Sequence, residues 1–226
     1  MGEEGDDGIN PKKISKKKKG KFARAVESAI GLPDDMGSFN AILAQFERGL
    51  LEAAGSPGNI NRLNTAVDSA SAVANKLNEA SAAIQDLRVT ADAGIRADVD
   101  FLNASLGQIV DLNAKIQNAT ISNRDASSLK DQRQLLVDGV AKIIPLKEVA
   151  KPNDAIALIS QGGLQLVDGR AVVFGFQASP VITPNMTVDS GQLSGVTVSG
   201  RLVGPEDQRI SGGRLAANFE VRDTLG

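Results

Sequence analysis

The chain contains no cysteine, no histidine, no tryptophan and no tyrosine. Without cysteine there is no disulfide framework, no thiolate metal site and no thiol nucleophile. Without histidine the usual general base near neutral pH and the commonest metal ligand are both missing. Carboxylates and lysines alone are left for chemistry, which disfavours an enzyme. Seven phenylalanines are the only aromatics, too few to build stacking platforms along a nucleic-acid strand. No apolar run approaches ~18 residues, so no transmembrane helix is expected. The basic N-terminal run is not followed by an apolar stretch, so no secretory signal peptide is readable.

Charge of one sign is scarce overall, with 25 basic and 27 acidic side chains in 226 residues. The distribution is uneven. Residues 1–26 hold eight basic and four acidic side chains, whereas the remaining 200 hold 17 and 23. The body therefore repels phosphate, and only the leader attracts it. Residues 1–22, with "ISKKKKGKF" (14–22), read as a disordered basic leader, because dense like charge without apolar periodicity remains solvated. The alternative is a nucleic-acid or anionic-membrane binding arm at residues 11–24, carried on a helical oligomerisation stalk. A carboxylate-based enzyme with an unseen site is a third reading.

What the sequence does have is helical periodicity. Ser38 is placed as an N-cap, followed by Phe39, Ile42, Leu43, Phe46 and Leu50 at helical spacing. Gly55 suits the left-handed residue that ends this helix, and Ser56-Pro57 restarts the next. A seam then runs Val73, Leu77, Ala80, Ile84, Leu87, Ala91, Ile95, Val99, Leu102, Leu106, Ile109 and Ile116. Its steps of three and four are heptad-like, with one stutter near residues 91–99. One helix over about residues 59–117 would be roughly 85–90 Å long. A turn at Gly94 would make a hairpin instead; no cap accompanies that glycine, which favours the continuous helix. Leu-Asn recurs at 63–64, 77–78, 102–103 and 112–113, where the asparagines either line a helical bundle or fix its register. Asn103 itself reads as exposed.

Ser128 and Asp131 fit a capping box opening a helix that carries Leu129, Leu136 and Val140 on one face, with Gly139 loosening its last turn. Beyond residue 142 the period shortens. "IIPLKEVA", "AIALIS", "LQLV", "RAVVFGF", "PVITPNMTV" and "GQLSGVTVSGRLV" read as strands, with Asp168-Gly169 as a hairpin turn. "QGG" and "SGG" lack the spacing of a phosphate loop and read as turns. A last helix from about Gly213 turns Leu215 and Phe219 inward, while Glu220, Arg222 and Asp223 read as solvated charges or weak local pairs. The expected fold class is α+β: an elongated helical bundle with long coiled-coil-like helices and a small antiparallel β subdomain. The organisation is leader 1–22, helical rod 23–142, β subdomain 143–204 and helical return 205–226.

Three stretches together resemble one family. They are "AIGLPDDMGSFNAILAQFERGLLEAAGSP" (29–57), residues 77–116 with "DQRQLLVDGVAKII" (131–144), and "ISGGRLAANFEVRDTLG" (210–226). The family is flagellar hook-associated protein 1, the hook–filament junction proteins; a competing reading is the neighbouring third hook-associated protein or a flagellin relative, and the Asp-Gln-Arg helix followed by a β unit argues for the junction protein. The positions carrying the family motif are Asp131, Gln132, Arg133, Gly213, Leu215, Phe219, Arg222 and Asp223. The structural seam is Leu77, Ile84, Leu87, Leu102, Leu106 and Ile109. The resemblance implies a secreted, non-catalytic structural subunit of the flagellum, outside the cell. It implies no cofactor, metal, small-molecule substrate or specific nucleic acid. Its partners would be other axial proteins, namely the hook protein and neighbouring hook-associated proteins. The family's terminal axial helices have no counterpart here. The chain therefore reads as the central part of such a protein, monomeric by itself, with its lysine run foreign to the functional body.

Overall fold

Ser38 begins the first long helix as the sequence implies. Its φ/ψ of −68°/154° is extended, and its Oγ accepts a hydrogen bond from the backbone N–H of Ala41 at 3.2 Å. In this computed structural model the described residues are 16, 20, 23–28, 31, 35–203 and 207–223; the leader reading otherwise falls outside them. By contact the chain divides into two compact units. One holds the described residues from Gly20 to Leu87, the other those from Arg88 onward together with Lys16.

In the first unit, residues 23–28 are helical and precede α1 (Phe39–Ala54). Gly55 does end α1, but at φ −72° it is right-handed, so the expected left-handed cap is not used. Pro57 does not enter the next helix either. Asn59 caps it instead, its Oδ1 accepting from the N–H groups of Asn61 (3.1 Å) and Arg62 (3.4 Å). The two helices meet through small residues: a Cβ on Gly49 would lie 3.1 Å from Ser69 Oγ and 3.4 Å from Ala66 Cα.

The second helix, α2 (Ile60–Ile121), runs unbroken for 62 residues, through Gly94 and Gly107. Its apolar stripe is covered only in the second unit. Ala91, Ile95, Val99, Leu102, Leu106, Ile109 and Ile116 are buried there. Ile84 and Leu87 are half-buried, and Leu77 is 51% exposed. A heptad stripe specifies a face able to pack. Burial needs a neighbour on that face, and the seam reading failed at Leu77 for want of one. Gly94 is explained by what lies against it, since a Cβ there would sit 2.9 Å from Asn218 Nδ2.

A short turn leads to α3 (Ser127–Ile143). The Ser128–Asp131 box does not form. Ala126 is the N-cap residue and no side chain caps the helix; Asp125, just before it, holds the entry, its Oδ1 accepting from Ser127 N–H at 2.9 Å and from Ser127 Oγ at 2.7 Å. These bonds hold the Asp125 carboxyl below its ordinary value, the hydroxyl contributing most. A carboxyl depressed in the fold adds stability above its unfolded value, near pH 4, and loses it as pH falls through the folded one. Asp125→Asn keeps the acceptor without the titration. In acid melts below about pH 4 it is expected to lose less stability than the wild type; parallel acid curves would refute this role for Asp125. Gly139 loosens nothing: a Cβ there would lie 2.8 Å from Phe101 Cζ, so the glycine makes room for the ring.

Two antiparallel three-stranded sheets follow. The first is β1 (Leu146–Ala150), β2 (Ile156–Ser160) and β3 (Gln165–Val167), in that order. The second is β4 (Phe174–Gly175), β5 (Val196–Val198) and β6 (Arg201–Val203). Asp168-Gly169 does turn the chain, with Gly169 at φ 72° and Val167 bridging Ala171. Ser199-Gly200 joins β5 to β6 with both φ values positive, 49° and 81°, as a type I′ turn needs. "PVITPNMTV" is not a strand. Residues 176–195 are irregular, Pro180 and Pro184 having removed two ladder donors. The strands have no core of their own: Leu158, Leu166, Val167, Phe174 and Val196 share one cluster with Leu102, Ile109, Val140, Leu215 and Phe219. The last helix, α4 (Gly213–Asp223), starts at two glycines with φ 80° and 69°. A Cβ on Gly213 would collide with the Ile143 carbonyl, so only glycine permits this close start. Among the described residues no helix is long and apolar enough to cross a membrane.

Candidate functional site: a buried arginine–aspartate network

Arg88, Asp92 and Asp98 lie on α2, four and six residues apart, beside the apolar stripe. Arg214, Asn218 and Arg222 recur every fourth residue on α4 and so share one face. The helices run antiparallel, which pairs the start of one set with the end of the other. Arg222 Nη1 donates to Asp92 Oδ1 at 2.9 Å and to the Ser194 carbonyl at 2.8 Å. Arg214 Nε donates to Asp98 Oδ1 at 2.7 Å, and Asn218 Nδ2 to Asp98 Oδ2 at 3.1 Å. The Arg222 and Asp92 side chains are 0% and 1% exposed. The guanidinium also lies 5.0 Å from the Phe219 ring centre and 5.6 Å from that of Phe176. Asp223 closes a fork on Arg222, through Nε at 2.8 Å and Nη2 at 3.3 Å.

Arg88 adds three backbone carbonyls. Its Nε reaches Arg222 O at 2.8 Å, its Nη1 reaches Thr183 O at 3.0 Å, and its Nη2 donates to Met186 O. Desolvation pushes the Arg88 guanidinium below its ordinary value, with Asp223 opposing and Arg222 adding to that shift. It stays charged at neutral pH, since an arginine cannot be deprotonated there. The Asp92 carboxylate also accepts from Ser179 N–H at 2.7 Å. Such a network joins elements; its carboxylates are engaged by donors rather than aimed at a reacting group. Among the described residues no cluster of His, Cys, Asp or Glu has the makings of a metal site.

A second set of polar contacts ties α2 to the sheets. Asn103 pairs with both backbone groups of Phe174, donating through Nδ2 at 2.8 Å and accepting at Oδ1 at 2.9 Å. Asn113 does the same with Ile156, at 2.8 and 3.2 Å. Each amide stands in for a missing strand. Arg133 Nη1 then donates to Asn113 Oδ1 and to Asp154 O, both at 2.8 Å. Asn103 is thus not the indifferent position its sequence context implies. Asn103→Ala would leave the half-buried Phe174 pair unmet, and about 1–3 kcal/mol of stability is expected to go. Urea melts check this; a loss near zero would mean that water replaces the amide.

The residues singled out from the sequence separate clearly. Leu102, Leu106, Ile109, Leu215 and Phe219 are buried together. In the Asp131-Gln132-Arg133 motif only Arg133 turns inward; Asp131 and Gln132 are exposed. Arg222 is fully buried rather than solvated, and Asp223 is half-buried against it. Arg88, Asp92, Asp98 and Asn218 are not singled out by the sequence, and Asn103 and Asn113 stand out only as members of the Leu-Asn repeats. Charges beside an apolar stripe and the Leu-Asn repeats were the signals available for them.

The comparisons bear on the same residues. The structure of the flagellar hook junction protein FlgK from Burkholderia pseudomallei shares this fold, with a TM-score of 0.73 at 20% identity. The match covers 94% of this chain and 38% of that one, so the chain spans well under half of its structural relative. No curated protein matches. The model of the flagellar hook-associated protein FlgK helical domain matches residues 24–225, from before α1 to the end of α4, and the chain belongs to that family.

Proposed function

We propose that the chain works as a non-catalytic structural segment of the joint between flagellar hook and filament. The family match over residues 24–225 carries this reading. The geometry supports it. Because α4 returns antiparallel to α2, Arg88 Nε and Arg222 O are only 2.8 Å apart, so the end of α4 lies beside the point where α2 enters the second unit. A unit attached in that way suits a protein built outward from an axis. Its partners are other axial proteins, the hook protein and neighbouring hook-associated proteins, and it acts outside the cell after export. By itself it is a monomer, forms no ring or filament, and does not restore motility to a strain lacking its own junction protein.

Immunogold labelling of cells making the tagged chain beside their own flagellar proteins tests the reading. Gold is expected at the hook–filament boundary. Label spread along the filament, or confined to the cell interior, overturns it. Sedimentation velocity over a wide concentration range tests the monomer, which a stable oligomer would rule out.

A further inference from the structure

Residues 176–195 join β4 to β5 as twenty residues without regular structure. Irregular segments of that length are uncommon within a folded unit and need a reason to be ordered. Apolar anchoring supplies little of it, since Ile182 and Leu193 are the buried apolar side chains the segment contributes. Turns within the segment add local bonds, among them Leu193 N–H to the Thr187 carbonyl and Gln177 N–H to Ser194 Oγ, and charged groups on two helices tie it to the rest of the unit. Arg88 of α2 binds the Thr183 and Met186 carbonyls, and Asp92 of α2 binds Ser179 N–H. Arg222 of α4 binds the Ser194 carbonyl. These helical groups are themselves joined: Arg222 Nη1 holds Asp92, and Arg88 Nε holds the Arg222 carbonyl.

We infer that residues 177–195 are a strap whose ordering is conditional on the seating of α4: one arginine–aspartate network serves both, so the strap and the return helix close and open as a single cooperative element. Undocking α4 removes Arg222 from Asp92 and from Ser194, and takes from Arg88 the carbonyl that orients its fork. The strap then keeps Ile182, Leu193 and its own turns but loses the Arg222 donor at Ser194, while Arg88 and Asp92, which bind the rest of it, lose the partners that position them. By linkage the effect is reciprocal, and loosening the strap loosens α4. The surface presented by the strap therefore exists only after α4 has seated, which makes the strap a readout of that docking. β1 and β2, which share no bond with this network, stay closed through the event.

Amide hydrogen exchange on the whole chain tests this, because it reads local opening segment by segment. The deciding variant is Asn218→Ala, since Asn218 faces Gly94 and Asp98 and none of its described bonds reaches the strap. Exchange is expected to rise about tenfold or more in residues 177–195 together with 213–223, while 146–160 keeps its protection. The reciprocal variant is Ile182→Ala, which is expected to speed exchange in 213–223. Should Asn218→Ala unprotect 146–160 as well, the same comparison is read from Asn218→Ser, which retains a polar group toward Asp98. Faster exchange in 213–223 with 177–195 unchanged, or in the strap alone for Ile182→Ala, would show two independent elements and overturn the inference.

Discussion

Arg222→Ala is expected to lower the unfolding free energy by about 3–5 kcal/mol, as removal of one partner from a buried ion pair does. The cost arises mainly from what stays behind. Asp92, 1% exposed, would keep only its Ser179 N–H among the partners described here, and the Ser194 carbonyl would lose its donor. Phe219 and Phe176 would lose the cation between them. Arg222→Lys keeps the charge but not the planar fork that meets Asp92, Ser194 and Asp223 together, so it should still destabilise, by less. Arg96 and Asp100 give the contrast. They also pair at 2.9 Å, four residues apart on α2, but are 51% and 61% exposed. Arg96→Ala should cost under ~1 kcal/mol. Urea denaturation of the variants decides the matter, and equal small losses would show that water reaches the Arg222 pair.

Leu102→Ala is expected to cost about 2–5 kcal/mol, the range for buried leucines whose surroundings close only partly over the cavity. Leu102 is 0% exposed and lies in the cluster to which α2, α3, α4 and both sheets contribute. Leu77→Ala removes the same atoms from the same stripe of the same helix. At 51% exposure it should cost well under half as much. The two together separate the pattern of a seam from its burial. If Leu77→Ala proved as costly as Leu102→Ala, the stripe would be covered along its whole length.

These pairs also mark what reading the sequence achieves. Steps of three and four without proline are a local property, so the long helix was legible through Gly94, and its end was foreseen within a few residues. Ser38 as a cap and Asp168-Gly169 as a turn were legible for the same reason: side-chain bonding and positive φ are settled within a few residues of chain. The caps that went wrong are close competitors. Asp125 rather than Ser128 holds the entry to α3, and α2 is capped by Asn59, two residues after the Pro57 expected in its first turn. "PVITPNMTV" has the apolar content of a strand, yet a strand needs a partner edge, and two of its carbonyls, Thr183 and Met186, are taken by Arg88.

The sequence by itself determined the helices, the tight turns, the absence of thiol and imidazole chemistry and, through its resemblance, the family. Tertiary structure alone decided which charges are buried. Arg88 and Arg96, or Arg222 and Glu220, look alike in a sequence, because charge is a property of the residue whereas desolvation belongs to the place. It also decided what Gly94 and Gly139 are for. A glycine records that something comes close without saying what, and Asn218 and Phe101 arrive from segments 124 and 38 positions away in the chain. The network joining α2, α4 and the strap depends on such meetings, which no local pattern encodes.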